Sequence, residues 1–445
     1  MRLDLPYQKE GAKWLAARNH ALLADEPGLG KTLQTVMGSD RVKAYTILVV
    51  CPAVAMPTWV REYRDNSKYE CVINVMNKPK SSVVEGAVNI ISYDRMARFE
   101  VWQQLMKVEW DLLICDEAHY LKTSTTARTK AIYGFGKKLG LAHVAKRTWL
   151  LTGTPSVNNT YELWPHIRTL FGKNFTMRDG SRMKGEQFKN RYCIIKHNGF
   201  GEQIVGSKNM ADLKQRLQPF FLRRKKDDVL KDLPEVFESP LYLDAQKNLS
   251  EWRELVTLDE MIGLSDRLVK AKNDKMREAI MNSIDQTVER KIRRLLGISK
   301  VPPLIDWIKD QLNGGLDKLV VFAYHQDVIR MLYKAFDNTA VVIKGDTSPT
   351  QREAAVRAFQ HGKAKLFIGQ IQAAGTAITL TAASTLVFAE YSWVPGENEQ
   401  AKDRIRRIGQ KSTCFVRYAT LTNSLDERIM QVVQRKMKDI RQIFN

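Results

Sequence analysis

A glycine-rich turn after a short apolar run constrains this chain more than any other feature. Residues 25–32 read Asp-Glu-Pro-Gly-Leu-Gly-Lys-Thr, between the apolar residues 21–24 and a helix-compatible stretch. Glycines let backbone N–H groups approach phosphate oxygens, and a helix N-terminus attracts anions. The strict P-loop pattern has glycine where Asp25 stands, so a chance match in a loop stays open. Lys31 can reach the β/γ phosphate oxygens, and the Thr32 hydroxyl can hold Mg²⁺. The residues expected to bind the nucleotide phosphates are Asp25, Gly28, Leu29, Gly30, Lys31 and Thr32.

Two acids, Asp116 and Glu117, directly follow the run 111–115, which holds four apolar residues. This pattern favours a buried parallel strand with carboxylates at its carboxyl end, where an α/β sheet binds ligands. Asp116 is suited to ordering Mg²⁺ and Glu117 to polarising an attacking water. Two surface acids at a strand end are the alternative, which the glycine-rich turn makes less attractive.

Two later segments extend the pattern. An apolar run leads into the small-hydroxyl turn 152–155, and an arginine-rich stretch occupies residues 400–410. On a helix, Gln400, Asp403, Arg404 and Arg407 would share one face. Two arginines on such a face can stabilise charge on a transferring phosphoryl group, although a solvated basic helix would have the same pattern.

These four segments, in this order, resemble the Swi/Snf-type family of superfamily-two DNA-dependent ATPases, and the resemblance covers essentially the whole chain. Additional family motifs are matched by residues 5–11 with Trp14, 49–52 with Trp59, 91–94, 220–230 with 233–234, 321–325, and Phe388 with Trp393 and Pro395. The annealing-helicase (HARP-like) branch is the most similar, on residues 188–193, 199–201, 388–390 and 393–396.

The resemblance implies an α/β fold of two tandem RecA-like lobes, parallel sheets flanked by helices, with helical protrusions between them. The first lobe is expected over 1–235 with a small helical insertion at about 172–217, then a linker and helical protrusion over 236–300, then a second lobe over 301–445 with a C-terminal helix. The alternation of apolar runs with helix-compatible stretches favours parallel sheets independently. Strands are predicted at 21–24, 46–51, 88–92, 111–115, 148–152, 319–323, 340–344, 365–369, 385–389 and 415–421.

Helix boundaries can also be predicted. Helical spacing over 251–296 is followed by Gly297, a reasonable helix end, and by Pro302 and Pro303 as punctuation before the second sheet. Ser348 followed by proline predicts a capped helix start, and residues 424–427 fit a capping box.

The resemblance also implies roles for single residues, with ATP and Mg²⁺ as cofactors. The expected catalytic residues are Lys31, Asp116, Glu117, Arg404 and Arg407, with Gln8 contacting the base. Coupling of the ATP state to the second lobe is expected of His119, Thr152, Thr154 and Gly375, although His119 could be a structural histidine. Contacts to the DNA backbone are expected of Ser92, Thr347, Thr376 and Trp393, each of which could equally be structural. The chain departs from the family pattern at Ala374, Ala377, Thr379 and Arg406.

Composition favours a polyanion partner. The 445 residues include 70 Lys and Arg against 49 Asp and Glu, a formal charge of +21 with a sequence pI of about 9.6. The sequence has no run of about 18 apolar residues that would predict a membrane span. The N-terminus lacks the apolar region of a signal peptide. The five cysteines are scattered without metal-ligand spacing, which indicates a reducing intracellular compartment such as bacterial or virus-infected cytoplasm or nucleoid.

The sequence therefore predicts a monomeric, ATP-driven translocase on double-stranded DNA that remodels or reanneals forks. Phosphate contacts carry no sequence information, so DNA shape rather than sequence would be recognised, with a separate protein for targeting. Two alternatives stay open: a helicase of the same superfamily that separates DNA or RNA strands, and a non-catalytic, basic nucleic-acid-binding scaffold.

Overall fold

The computed structural model describes residues 5–155, 159–197, 202–244, 286–374, 378–392 and 395–422. These residues form two compact units that divide between Asp232 and Leu233. The predictions for Gly375, Thr376, Trp393 and residues 424–427, and most of the helical segment 251–296, lie outside the described residues.

The described residues of the first unit contain nine strands. They are β1 (His20–Leu23), β2 (Ile47–Cys51), β3 (Val72–Val75), β4 (Ala87–Ser92), β5 (Leu112–Asp116), β6 (Thr148–Leu151), β7 (Cys193–His197), β8 (Glu202–Ser207) and β9 (Phe221–Leu222). Seven form a parallel sheet in the order β3-β4-β2-β5-β6-β1-β9, and β7 pairs with β8 in a separate antiparallel hairpin.

Ten helices accompany these strands in the part of the first unit that the structure describes. They are α1 (Pro6–Ala16), α2 (Lys31–Arg41), α3 (Met56–Asn66), α4 (Tyr93–Met96), α5 (Phe99–Leu105), α6 (Ala127–Tyr133), α7 (Trp164–His166), α8 (Gly185–Tyr192), α9 (Met210–Leu217) and α10 (Lys226–Val229). Short 3₁₀ turns occur at Ala53–Ala55, Ala118–Leu121, Leu141–His143, Thr160–Leu163 and Gly172–Asn174, and a π turn at Ile167–Phe171.

Both faces of the first sheet are buried, which explains its continuous apolar strands. In β2, Leu48 and Val50 pack into one core while Ile47, Val49 and Cys51 pack into the other. Successive side chains of a strand point to opposite faces, so a strand between two cores needs apolar residues at every position. Helices α1, α2 and α3 cover one face, and α4, α5 and α6 cover the other.

The insertion at 172–217 is not purely helical as predicted. Helices α8 and α9 are present, but the hairpin of β7 and β8 lies between them. Cys193, Ile194 and Ile195 form a short run with β-branched residues, a composition that favours a strand. Its helix α8 packs the fully buried Phe188 into the main core, where the ring lies 5.2 Å from that of Trp164.

In the described part of the second unit, six parallel strands form one sheet. They are β10 (Val236–Leu243), β11 (Leu319–Ala323), β12 (Ala340–Ile343), β13 (Leu366–Gln370), β14 (Thr385–Phe388) and β15 (Cys414–Leu421), in the order β10-β15-β14-β11-β13-β12. The five strands predicted here are confirmed, but β10 lies in the segment predicted as linker and protrusion. It holds Pro240, which an edge strand tolerates because only one neighbour requires its backbone donors.

Five helices belong to the described part of the second unit. They are α11 (Gln286–Asn313), α12 (Gln326–Phe336), α13 (Pro349–His361), α14 (Ile371–Ala374) and α15 (Pro395–Lys402). The capped start of α13 is confirmed, since the Ser348 hydroxyl accepts from Gln351 N and Pro349 is the first helical residue.

The predicted helix end at Gly297 is wrong, because α11 continues through Gly297, Pro302 and Pro303. A glycine costs a helix about 1 kcal/mol and a proline about 3 kcal/mol. Burying one large apolar side chain returns about 1.5–3 kcal/mol. Five buried residues along this helix pack against the second sheet and outweigh those costs: Leu296, Ile298, Val301, Leu304 and Ile308.

Candidate functional site

The first unit brings three predicted segments to one edge of its sheet. Strands β1 and β5 both pair with β6, so the turns that follow these three strands emerge side by side. They are the glycine-rich loop, the Asp116–Glu117 pair and the turn that begins at Thr152. The carboxyl ends of parallel strands are where α/β sheets bind ligands, and these three segments share that location.

The glycine-rich loop has the backbone of a phosphate cradle. Gly28 and Gly30 have φ values of 90° and 72°, a region that favours glycine, and Gly30 is the N-cap of α2. A Cβ atom added to Gly30 would lie 2.4 Å from Gln8 Nε2. The buried Gln8 therefore packs directly on the loop, where its Nε2 also donates to Leu29 O over 3.4 Å.

Lys31 begins α2 and folds back over the loop. Its Nζ donates to the carbonyls of Asp25 and Glu26, at 2.7 and 3.3 Å. The next residue, Thr32, is partly exposed in the first turn of the same helix. An ammonium and a hydroxyl thus stand beside backbone donors at a helix N-terminus, an arrangement suited to a polyphosphate with its cation.

The acidic pair is held by aromatic donors. Asp116 Oδ2 accepts from Trp59 Nε1 over 2.8 Å, and Asp116 O accepts from Tyr93 OH over 2.7 Å. Burial, and after it the charge of Glu117, raise the pKa of Asp116 to about 6, while Trp59 and Lys31 act in the opposite direction.

Glu117 has an unusual backbone, with φ 49° and ψ 52° in the left-handed region. Such a conformation costs a non-glycine residue about 1–2 kcal/mol. Its N–H donates to Asp116 Oδ1 over 2.9 Å, a bond that helps to hold the conformation. Backbone strain of this kind is concentrated at functional sites, where it fixes the direction of a side chain.

The donor set fits Mg²⁺ that arrives with phosphates. Within the described residues, no group of three or more His, Cys, Asp or Glu side chains could hold a metal ion alone. Mg²⁺ commonly binds through one or two carboxylates together with substrate phosphates and water. The Asp116 carboxylate and the Thr32 hydroxyl are hard oxygen donors of that kind.

His119 connects the acidic pair to the Thr152 turn. Its Nδ1 lies 3.3 Å from Thr152 Oγ1 and 3.2 Å from Glu117 Oε2. Thr152 Oγ1 also accepts from Thr154 N over 3.1 Å. The expected coupling residues of the first unit therefore form one continuous chain of polar contacts.

The arginine motif of the second unit does not form the predicted continuous helix. Helix α15 ends at Lys402, and the following residues form turns. The carbonyl of Arg404 accepts from Leu380 N over 2.9 Å. This tertiary bond takes the place of one that a continuing helix would make at the same carbonyl.

Arg404 and Arg407 nevertheless converge on one segment. The Nη1 atom of each donates to Ile378 O over 3.3 Å, and Arg407 Nη1 also donates to Thr379 Oγ1 over 3.2 Å. Arg404 is buried, whereas Arg407 is partly exposed. Of the two arginines, Arg407 is the better placed to meet a ligand.

Two of the predicted DNA contacts have local structural partners. Ser92 caps α4 by accepting from Arg95 N, and Thr347 Oγ1 accepts from Lys344 N over 2.9 Å. Both side chains are partly exposed, so contact with DNA stays a prediction for them.

Sequence reasoning missed the buried partner of Asp25. Arg224, which follows β9, pairs with Asp25 Oδ2 over 2.5 Å, although 199 residues separate the two. No local spacing could have indicated this pair. One signal in the sequence was an acid in the place of the P-loop glycine, because an acid buried at that position requires a cation elsewhere in the fold.

Comparison with known families gives two matches. Residues 7–294 match the SNF2-related domain, and residues 300–409 match the helicase conserved C-terminal domain.

Similar proteins cover almost the whole of this chain. A SWI/SNF-related matrix-associated actin-dependent regulator of chromatin subfamily A-like protein 1 from Bos taurus is 31% identical over 98% of this chain and 44% of its own length. Its homologue from Caenorhabditis elegans is 31% identical over 98% of this chain and 61% of its own length. The DNA annealing helicase and endonuclease ZRANB3 from Mus musculus is 30% identical over 97% of this chain and 40% of its own length. The chain thus spans about half the length of these relatives.

Among solved structures, the Sulfolobus solfataricus SWI2/SNF2 ATPase core in complex with dsDNA is similar, with a TM-score of 0.46 and 24% identity. The similarity covers 100% of this chain and 93% of that chain. Separately, none of the helices in the described part of the molecule combines the length and the hydropathy needed to cross a membrane.

Proposed function

We propose that this chain, which belongs to the SNF2-related family of helicase-like ATPases, hydrolyses ATP to move along double-stranded DNA. The observation that carries the proposal is the shared sheet edge of the first unit. There the glycine-rich loop with Lys31 and the acidic pair Asp116–Glu117 follow strands separated only by β6. A phosphate cradle next to paired carboxylates is the arrangement that phosphoryl transfer to water requires.

Each residue of this edge has a proposed task. Lys31 binds the β/γ phosphate oxygens, Thr32 and Asp116 hold Mg²⁺, and Glu117 orients and polarises the attacking water. When bound, Mg²⁺ neutralises charge on the phosphate oxygens. Arg404 and Arg407 are the proposed arginine fingers, residues whose task is to stabilise charge on a transferring phosphoryl group.

Charge supports DNA as the partner. A formal charge of +21 attracts a polyanion, and binding through backbone phosphates discriminates shape rather than sequence. Directed motion along duplex DNA requires contacts that repeat with every nucleotide, and phosphates provide such contacts.

Reannealing or remodelling of forked DNA is the proposed use of this motion. One relative is named a DNA annealing helicase, and its similarity to this chain extends over 97% of the chain. That relative is longer than this chain, which matches 40% of it, so targeting to forks could require segments outside the similarity.

Displacement of a third DNA strand from a triplex tests the proposal. A translocase should remove the third strand with ATP while the two duplex strands stay paired, and Lys31→Ala should abolish the reaction. Separation of the duplex strands would instead establish a strand-separating helicase. Binding without any ATP-dependent displacement would favour the non-catalytic scaffold.

A second substrate tests the fork assignment. A fork whose unpaired arms are complementary should close faster with ATP than without it, if reannealing is the activity. Equal closure rates for wild-type protein and Lys31→Ala would contradict reannealing while leaving translocation intact.

A further inference from the structure

The segment that follows β9 is bonded directly to the glycine-rich loop. Arg224 donates to Asp25 Oδ1 from its backbone N over 3.0 Å and from Nε over 3.1 Å, and its Nη2 pairs with Asp25 Oδ2 over 2.5 Å. Asp25 is fully buried, with 0% of its surface exposed. A buried carboxylate is stable only when paired and hydrogen-bonded, so these bonds decide the position of Asp25.

The same guanidinium also reaches both helices that flank the loop. Its Nη2 donates to Gln34 Oε1 of α2 over 2.6 Å, and its Nη1 donates to the Tyr7 carbonyl of α1. Gln34 Nε2 in turn donates to Asp25 Oδ2 and to Leu29 O, each over 3.0 Å. One cation therefore joins α1, the loop and α2 in a single buried network.

A glycine in α1 makes room for this network. A Cβ atom added to Gly11 would lie 1.9 Å from Gln34 Oε1 and 2.6 Å from Arg224 Nη2. The network therefore leaves no room for a side chain at position 11.

Main-chain bonds extend the attachment to the next loop residue. Glu26 N donates to Arg224 O over 3.1 Å, and Glu26 Oε2 accepts from Lys226 N over 2.9 Å. Asp25 and Glu26 are also the residues whose carbonyls accept from Lys31 Nζ. The segment thus holds the two loop residues against which the proposed phosphate-binding lysine rests.

We infer that Arg224 is a positioning residue for the phosphate-binding loop, acting through Asp25 and Gln34. The inference rests on the proposed assignment of this loop to nucleotide phosphates. Where the strict P-loop pattern relies on a glycine, this chain holds the loop with a buried ion pair from a distant segment. The chain leaves the first unit eight residues after Arg224.

Nucleotide affinity and turnover test the inference in the full chain. Arg224→Gln and Asp25→Asn should each raise the Kd for ADP and the KM for ATP on the order of tenfold or more, because small misplacements of binding groups are costly. The kcat at saturating ATP should change only a few-fold. A merely structural role would instead reduce the folded fraction, which lowers kcat and leaves KM unchanged.

Arg18→Gln is the matched control. Arg18 connects Pro219, which precedes β9, to α1: its Nε donates to Pro219 O over 2.7 Å and its Nη1 donates to Trp14 O over 2.8 Å. Neither bond involves the glycine-rich loop. The Kd of this variant for ADP should equal that of the wild-type protein.

The double variant Asp25→Asn/Arg224→Gln measures the coupling of the two residues. Its loss of affinity should be clearly smaller than the product of the two single losses, because both singles break the same pair. Arg224→Lys keeps the charge, so its Kd for ADP should lie between those of the wild-type protein and Arg224→Gln. If Arg224→Gln does not fold, Arg224→Lys takes its place in the comparison.

Two results would overturn the inference in distinguishable ways. If Lys31→Ala weakens ADP binding but Arg224→Gln and Asp25→Asn do not, the positioning role alone is wrong. If Lys31→Ala itself leaves ADP binding unchanged, the phosphate assignment fails and the inference fails with it.

Discussion

Trp59 on α3 donates its indole N–H to the carboxylate of Asp116 at the end of β5, over 2.8 Å. Burial and the charge of Glu117 raise the pKa of Asp116 to about 6. The Trp59 bond favours the ionised carboxylate and therefore lowers this pKa. A residue of the apolar core therefore contributes to the protonation equilibrium of a proposed Mg²⁺ ligand, after burial and the charge of Glu117.

Loss of this donor should shift the pH dependence of nucleotide binding. Protonated Asp116 cannot hold Mg²⁺, so the affinity for Mg·ATP should weaken as pH falls through about 6. Trp59→Phe removes the donor, raises the pKa further and should move the weakening to higher pH. The measurement is the Kd for Mg·ATP between about pH 5 and 8; ATP itself titrates in this range, so the difference between the two proteins is informative.

Trp149→Phe is the control for that shift. Trp149 is equally buried in the same core, but its indole donates to Arg18 O over 3.0 Å, away from the acids. Its pH profile should match the wild type. Identical profiles for Trp59→Phe and the wild type would contradict the role of the indole.

Glu117→Gln should retain ATP binding and lose turnover. The amide cannot accept a proton from water. Because general-base catalysis contributes a factor of about 10²–10⁴ to the rate, kcat should decrease by a factor in that range. Single-turnover hydrolysis and ATP binding are measured side by side, with the exposed Glu100→Gln as control. A Glu117→Gln protein with normal turnover would remove this residue from the chemistry.

Arg407→Ala should lower turnover far more than nucleotide affinity. An arginine finger contributes about 10³–10⁵ to kcat and acts on charge that develops in the transition state. Arg407 is partly exposed, so Tm should change little, whereas Arg404→Ala removes a buried side chain and should also lower Tm. The exposed Arg357→Ala serves as control, and equal losses of kcat and affinity in Arg407→Ala would count against a finger.

Gly297→Ala should destabilise the second unit, although alanine normally favours helices. The added Cβ would lie 2.2 Å from Glu390 Oε1. Glu390 Oε2 accepts from the backbone N–H groups of Tyr324 and His325, so its carboxylate has little freedom to move. Overpacking of this kind costs about 1–3 kcal/mol in the free energy of unfolding.

Denaturant unfolding measures that cost. Lys309→Ala, at an exposed position of the same helix, should be nearly neutral. A Gly297→Ala protein more stable than the wild type would show that Glu390 moves aside easily.

Local patterns predicted most of the fold. Each predicted apolar run corresponds to an observed strand, and all of these strands except β12 are interior strands of their sheets. An interior strand that is buried on both faces must be apolar throughout. The resemblance to the Swi/Snf-type family is confirmed by the two domain matches. The similar proteins include a DNA annealing helicase, in line with the predicted branch. The predicted fold class, parallel sheets flanked by helices in two units, is confirmed as well.

The errors came from tertiary interactions that override local signals. Helix α11 passes Gly297 because its buried face outweighs the cost of glycine and proline. Helix α15 ends before Arg404, whose carbonyl accepts from Leu380 N in place of a bond within a continuing helix. The pairing of Asp25 with Arg224 spans most of the first unit, and no local spacing encodes it.

Steady-state ATP hydrolysis with different nucleic acids is the most direct test of the central claim. The assay compares no nucleic acid, single-stranded DNA, duplex DNA, forked DNA and RNA, with Lys31→Ala as the blank. The account predicts strong stimulation by duplex or forked DNA and none in Lys31→Ala. Stimulation by single strands or RNA alone, or no hydrolysis with any of them while binding persists, would contradict it.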